Sequence, residues 1–127
     1  EYKIPGGGKE SGEDDRKTLI REVREETGLT VRKETICELG EIVELRRDIF
    51  DKTKKYVCHS LFYYCKVEDG QAPLQLTASE ISKGYEMKWA SPAEIYRRNI
   101  LIEKDPWIVR DTAFVKMLMD EKVILPD

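Results

Sequence analysis

No Cys-x-x-Cys pair occurs in this chain, and its three cysteines, Cys37, Cys58 and Cys65, form an odd set. That composition excludes a zinc knuckle and a disulfide framework and points to a reducing compartment. His59 is the only histidine, and in a stretch of β character it reads as a sheet residue rather than a catalyst. No apolar run approaches the ~20 residues a membrane span needs, and no charged-then-apolar leader precedes the first motif. The chain therefore reads as soluble and cytoplasmic, with no membrane partner. An excess of one charge is also lacking: 37% of residues are charged, yet the formal net charge is only -3. No long-range field draws such a chain to nucleic acid, so a phosphate-rich partner must be bound locally or through cations. Internal repeats and low-complexity tracts are absent. What remains is ample apolar material, 40% of 127 residues, for the core of one compact domain spanning residues 1–127.

Glycine and proline mark the first boundaries. Tyr2 and Ile4 form a short extended piece that breaks at Pro5 and at Gly6, Gly7 and Gly8. A helix is predicted from about Asp14 to Thr27, with Leu19, Ile20 and Val23 on one side and Gly28 as its left-handed end. From Leu29 to about Val67 the pattern turns to β: Val31, Ile36, Ile42, Val43 and the run Tyr56 to Val67 are rich in β-branched and aromatic residues. Lys52 to Lys55 interrupt that stretch as a charged turn. Ser91-Pro92-Ala93-Glu94 reads as a capping box opening a short helix to about Arg98. A last helix opens at Asp105-Pro106, with Trp107, Val109, Ala113, Phe114, Met117 and Leu118 as its apolar face. Helices flanking strands without a linker imply a single α/β or α+β unit.

The chemistry is concentrated between Gly7 and Leu29. At ~100° per residue, Glu22, Glu25 and Glu26 stand at i, i+3 and i+4 and share a helix face, while Leu19 and Val23 occupy another. Three like charges on adjacent turns cost a solvated helix about a few tenths of a kcal/mol per pair unless a cation neutralises them. Oxygen-only ligands favour Mg²⁺ or Mn²⁺ over zinc, and Mg²⁺ completes its shell with water and phosphate. The glycines before the helix let backbone approach a metal or phosphate closely, and their carbonyls can ligate. Glu13, at the helix entrance, can serve either the positive end of the helix dipole or the same cluster. Acidic residues at this spacing usually mark only a solvated face. Their occurrence together with Gly7, Glu13, Arg21, Gly28 and Leu29 at fixed separations is what sets this unit apart.

Glycine, five residues, glutamate, seven residues, then Arg21-Glu22-Val23-Arg24-Glu25-Glu26-Thr27-Gly28-Leu29 resembles the Nudix box of the Nudix hydrolase family at every fixed position. Lys3-Ile4-Pro5-Gly6-Gly7 and the later Thr77, Glu80, Trp89 and Ser91 to Glu94 are similar to the family as well. The resemblance implies an α/β/α sandwich with a mixed β-sheet, and an acid-anhydride hydrolase that cuts the diphosphate bond of a nucleoside diphosphate linked to another moiety. It implies Glu22, Glu25 and Glu26 as metal ligands, with Glu13 and the Gly7 carbonyl assisting, and Arg21 orienting the glutamates. Mg²⁺, or Mn²⁺, would acidify a water that attacks phosphorus in line. Glu22 or a downstream carboxylate, Glu80 or Glu86, would be the general base.

Family members usually carry one or more strands before the Pro-Gly-Gly turn, whereas Glu1 to Ile4 alone precede it here, so the N-terminal strand or strands are expected to be missing from this chain or the sheet to be completed differently. Substrate choice is set outside the box. A proline shortly after the box, associated with ADP-ribose cleavage, is absent, since none occurs between Pro5 and Pro73. Tyr56, Phe62, Tyr63, Tyr64, Tyr85 and Trp89 could stack a base or pack a core, and Lys52, Lys54 and Lys55 could reach phosphates or tip a solvated hairpin. The expected partner is a small nucleotide-like molecule, with a homodimer left open. Two rival readings are a non-catalytic binding or regulatory module on this fold and an isopentenyl-diphosphate-isomerase-like enzyme; the intact acids oppose the first, and the complete box without a catalytic cysteine context opposes the second.

Overall fold

The computed structural model describes residues 1–47, 50–102 and 105–122, apart from the Arg46 side chain. Its elements, in order, are α1 (Asp15–Thr27), a 3-10 turn (Lys33–Thr35), β1 (Cys37–Arg47), β2 (Lys55–Tyr64), α2 (Ala78–Ser82), α3 (Pro92–Asn99) and α4 (Pro106–Asp120). The chain is thus an α/β protein. Among the described residues β1 and β2 form a two-stranded sheet, and Val31 pairs with Val67 in an isolated antiparallel bridge. Further strands of a mixed sheet are not among these elements. The residues fall into two compact units, one made of residues 4–37 and 65–90, the other of 1–3, 38–64 and 91–127. No helix among the described residues is long and apolar enough to cross a membrane.

In the first unit, α1 begins and ends where its sequence directs. The Asp14 carboxylate accepts from the Lys17 amide at 2.8 Å, capping the N-terminus, and Gly28 adopts φ 75° at the C-terminus while its amide donates to the Arg24 carbonyl at 2.9 Å. Its buried side chains are Thr18 and Thr27, whereas the expected apolar face of Leu19, Ile20 and Val23 is half-buried. Thr27 is covered because its hydroxyl donates to the Val23 carbonyl at 2.6 Å, an intrahelical bond that lets a polar side chain go inside. Val31 and Ile36 are the buried apolar residues of this unit. The β pattern read from Leu29 to about Val67, with Lys52 to Lys55 as a charged turn, is broken further by the 3-10 turn and by the end of β2 at Tyr64; residues 48 and 49 of it lie outside the described residues. Thr35 explains the break. Its hydroxyl donates to the Arg32 carbonyl at 2.6 Å, a local bond that competes with a ladder, and accepts from the distant Lys66 amide at 2.8 Å, an amide a ladder would otherwise use.

In the second unit, the β1–β2 hairpin and helices α3 and α4 share a core of Phe62, Ile108, Phe114 and Val115. Phe62 and Phe114 stack with ring centroids 3.9 Å apart and planes 8° from parallel. Gly40 of β1 lies against Phe114 and Met117. Of the apolar face expected on α4, Phe114 is buried and Trp107, Met117 and Leu118 are half-buried, but Val109, 47% exposed, and Ala113 face outward, while Ile108, Asp111 and Thr112 are buried. Asp111 tolerates burial because the Arg110 guanidinium donates to it at 2.9 Å. The Ser91 cap is also half of what was expected: Ser91 accepts from the Glu94 amide at 3.2 Å, but the Glu94 carboxylate instead accepts from the Tyr2 hydroxyl at 3.0 Å. Asn99, fully buried, accepts from the Tyr2 amide and donates to its carbonyl, both at 2.8 Å. One side-chain amide thereby does for Tyr2 what a neighbouring strand would do.

Phe114→Ala is expected to lower the unfolding free energy by about 3 to 5 kcal/mol, the usual cost of deleting a packed aromatic ring. Urea titration at unchanged slope reads this directly; a loss below about 1 kcal/mol would place the Phe62 stack outside the core.

Candidate active site

Arg21 sits at the centre of the acidic cluster. Its Nε and Nη2 donate to the two oxygens of Glu13 at 2.7 and 3.0 Å, a bidentate pair. Nη1 donates to Glu22 Oε1 at 2.8 Å and to Glu25 Oε2 at 3.3 Å. Nη2 also reaches the Gly8 carbonyl at 3.1 Å, and Glu10 forms a looser ion pair at 3.6 Å. One planar, permanently charged fork thus connects the glycine turn, the helix entrance and two of the box glutamates, which a lysine could not do. Helix spacing supplies this arrangement, because Arg21 and Glu25 are i, i+4 neighbours.

Glu13 carries the fullest set of protein donors. Besides Arg21, it accepts from the Glu10 amide at 2.8 Å and from the Thr18 hydroxyl at 3.1 Å. The Arg21 bond first, and the Glu10 amide second, lower its pKa from the ordinary 4.5 to about 2. Arg21 is raised above its ordinary value, chiefly by the same bond. The sequence placed Glu13 either at the helix dipole or at the metal cluster; its carboxylate is paired with Arg21.

The glycine turn comes up against the glutamates. A methyl group on Gly7 would stand 2.5 Å from Glu22 Oε1, so only glycine lets the turn lie this close. The Gly6 amide donates to Glu26 Oε2 at 3.1 Å. Glu22 is 13% exposed and Glu25 34%. Among the described residues no three acidic, histidine or cysteine side chains stand ready as a ligand set. The physical reason is in the contacts: Arg21 holds Glu22 and Glu25, and Gly6 holds Glu26. A hard cation fits the chemistry of these donors, which are carboxylate oxygens beside a side-chain-free turn.

Downstream, Thr77 and Glu80 form a complete capping box for α2: the Thr77 hydroxyl accepts from the Glu80 amide at 3.2 Å, and the Glu80 carboxylate accepts from the Thr77 amide at 2.9 Å. This box was readable as Thr-x-x-Glu. Glu86 is exposed and follows α2 in an irregular segment, residues 85–90. Trp89 is 71% exposed, whereas Phe62 is core. Thr53 donates to the Asp51 carboxylate in an exposed turn just before β2, which begins at Lys55. His59 pairs with Glu41 across the hairpin at 2.9 Å. Sequence reading missed one contact set entirely: the Gln75 amide donates to the Glu25 carbonyl at 2.7 Å, the Ala72 amide to the Gly28 carbonyl at 2.8 Å, and Gln71 Nε2 to the Thr27 carbonyl at 2.7 Å.

Because the Glu13 pKa is depressed in the folded chain, its contribution to stability is fully present above the ordinary carboxylate value of 4.5 and is lost as pH falls through about 2. Glu13→Gln should therefore be less stable than the parent at neutral pH, with the gap narrowing only below pH 4.5. Urea midpoints of both proteins across pH 2 to 7 check this; a gap that does not change with pH would show that Arg21 does not hold the carboxylate as described.

A family model of the NUDIX domain matches residues 1–111. Among curated proteins and among solved structures nothing matches the chain significantly. The matched span contains the whole Gly7 to Leu29 unit, Arg21 and its acidic partners included. The chain belongs to the NUDIX domain family, whose members hydrolyse nucleoside diphosphate derivatives, typically with a divalent metal ion.

Proposed function

We propose that this chain hydrolyses the diphosphate bond of a nucleoside diphosphate linked to another moiety, with Glu22, Glu25 and Glu26 as ligands of Mg²⁺ or Mn²⁺. The observation that carries this reading is the Arg21 network, which holds two of three helix carboxylates beside a turn whose Gly7 has no room for a side chain. A solvated acidic face has no use for that arrangement. When bound, the cation supplies positive charge against the diphosphate and makes a water more acidic.

The chain's own residues do the rest. Glu13 fixes Arg21, and Arg21 fixes Glu22 and Glu25, so these carboxylates are oriented before substrate arrives. The Gly7 carbonyl is offered as a further oxygen donor. A carboxylate outside α1 takes the proton of the attacking water, Glu80 or Glu86. Glu86 is exposed and the freer of the two, since the Glu80 carboxylate is engaged with the Thr77 amide and would have to open the α2 cap first. Water attack on phosphorus then releases a nucleotide or a phosphate ester, with positioning and charge stabilisation as the sources of rate.

Glu26→Gln keeps size and helix propensity while removing an anionic ligand, so the fold should survive. Turnover should fall about a thousandfold, equivalent to about 3 to 4 kcal/mol of transition-state stabilisation. The measurement is product analysis with Mg²⁺ over nucleoside triphosphates, nucleotide sugars, dinucleoside polyphosphates and ADP-ribose. Activity of Glu26→Gln within about threefold of the parent would refute the metal assignment; no hydrolysis by the parent of any diphosphate in the panel would favour a binding module.

A further inference from the structure

The last turn of α1 poses an electrostatic difficulty that the Nudix reading leaves unsolved. Glu25 and Glu26 lie at the C-terminal end of the helix, where the negative end of the macrodipole repels carboxylates. They also repel each other and Glu22. The last carbonyls of a helix have no intrahelical donors, so this turn is the one most prone to fray. Gly28 closes only the Arg24 carbonyl.

Residues 71–75 supply the missing donors. The Gln75 amide takes the Glu25 carbonyl, the Gln71 side chain takes the Thr27 carbonyl, and the Ala72 amide takes the Gly28 carbonyl. Pro73, which has no amide hydrogen, falls between the two amides that are used. Gly28 is needed twice over, for its positive φ and because a methyl group there would collide with the Ala72 carbonyl. These three bonds bind one irregular segment to the final turn that presents Glu25 and Glu26.

We infer that residues 71–75 are a clamp that holds the cation-binding turn of α1 in its helical form, and that Gln71 is a positioning residue for Glu25 and Glu26. The inference rests on the proposed role of these glutamates as metal ligands. Gln71 touches no ligand itself and acts through the Thr27 carbonyl. Without the clamp the turn frays, and the cation must reorder it on binding, so affinity falls while the chemistry of the occupied site is kept.

The test is Mn²⁺ titration of the full chain by calorimetry, without substrate, for the parent, Gln71→Ala and Gln71→Glu. Gln71→Glu keeps the shape but sets an acceptor against the Thr27 carbonyl, so it should do more harm than Gln71→Ala. Expected are a Kd roughly three- to tenfold weaker for Gln71→Ala, the worth of one hydrogen bond, a larger loss for Gln71→Glu, and turnover near the parent's at saturating Mg²⁺. Hydrogen exchange at the Gly28 and Gln75 amides should speed up in the same order. If the parent binds Mn²⁺ and both variants bind it equally well, the clamp is overturned and the metal assignment stands. If the parent binds no Mn²⁺, the metal assignment itself fails. Should Gln71→Glu not fold, the Gln71→Ala affinity and exchange rates decide alone.

Discussion

A guanidinium shared among carboxylates is the interaction on which the site depends. Arg21 takes both oxygens of Glu13 and one oxygen each of Glu22 and Glu25, and it reaches the Gly8 carbonyl of the turn. Each partner alone has a reason to move away: the glutamates repel one another, and a glycine turn has little to hold it. The planar fork joins them because its donors point in fixed directions that match carboxylate geometry. Glu13 matters as the counter-anchor. With four donors on its two oxygens, it keeps Arg21 from swinging toward solvent or wholly onto Glu22.

Much of this was legible in the sequence because it is local. Asp14 and Gly28 bound α1 through cap chemistry that needs only a few neighbouring residues, and Arg21 meets Glu25 through helix spacing alone. What was not legible is carried by distant partners. Glu94 was expected to close the Ser91 box, but Tyr2, far away in sequence, claims its carboxylate. The face of α4 was misread at Val109 and Ala113, which look apolar yet are exposed, while Asp111 and Thr112, which do not, are buried; Asp111 goes inside with its carboxylate paired to the neighbouring Arg110. The segment at 71–75 gave no signal, since two of its three bonds are made by backbone amides that any residue but proline possesses. Thr77-x-x-Glu80 was readable and was passed over.

These contacts share one logic. Glu25 and Glu26 stand where the helix favours acids least, at its negative end, and their carboxylates are met by Arg21 and by the Gly6 amide. A helix that merely solvated its charges would carry no such supports. Membership of a family that hydrolyses nucleoside diphosphate derivatives is what ties these supports to the proposed function, in which the carboxylates, held in place beforehand, would receive the cation that offsets a diphosphate's charge.

The most direct test of the account is anomalous diffraction from crystals of the chain grown with Mn²⁺. The account predicts a peak ligated by carboxylate oxygens of Glu22, Glu25 and Glu26 beside the Gly7 carbonyl, with Glu13 still paired to Arg21. A peak at other side chains, or well-ordered crystals in which α1 keeps all its acids on protein donors at millimolar Mn²⁺, would contradict it.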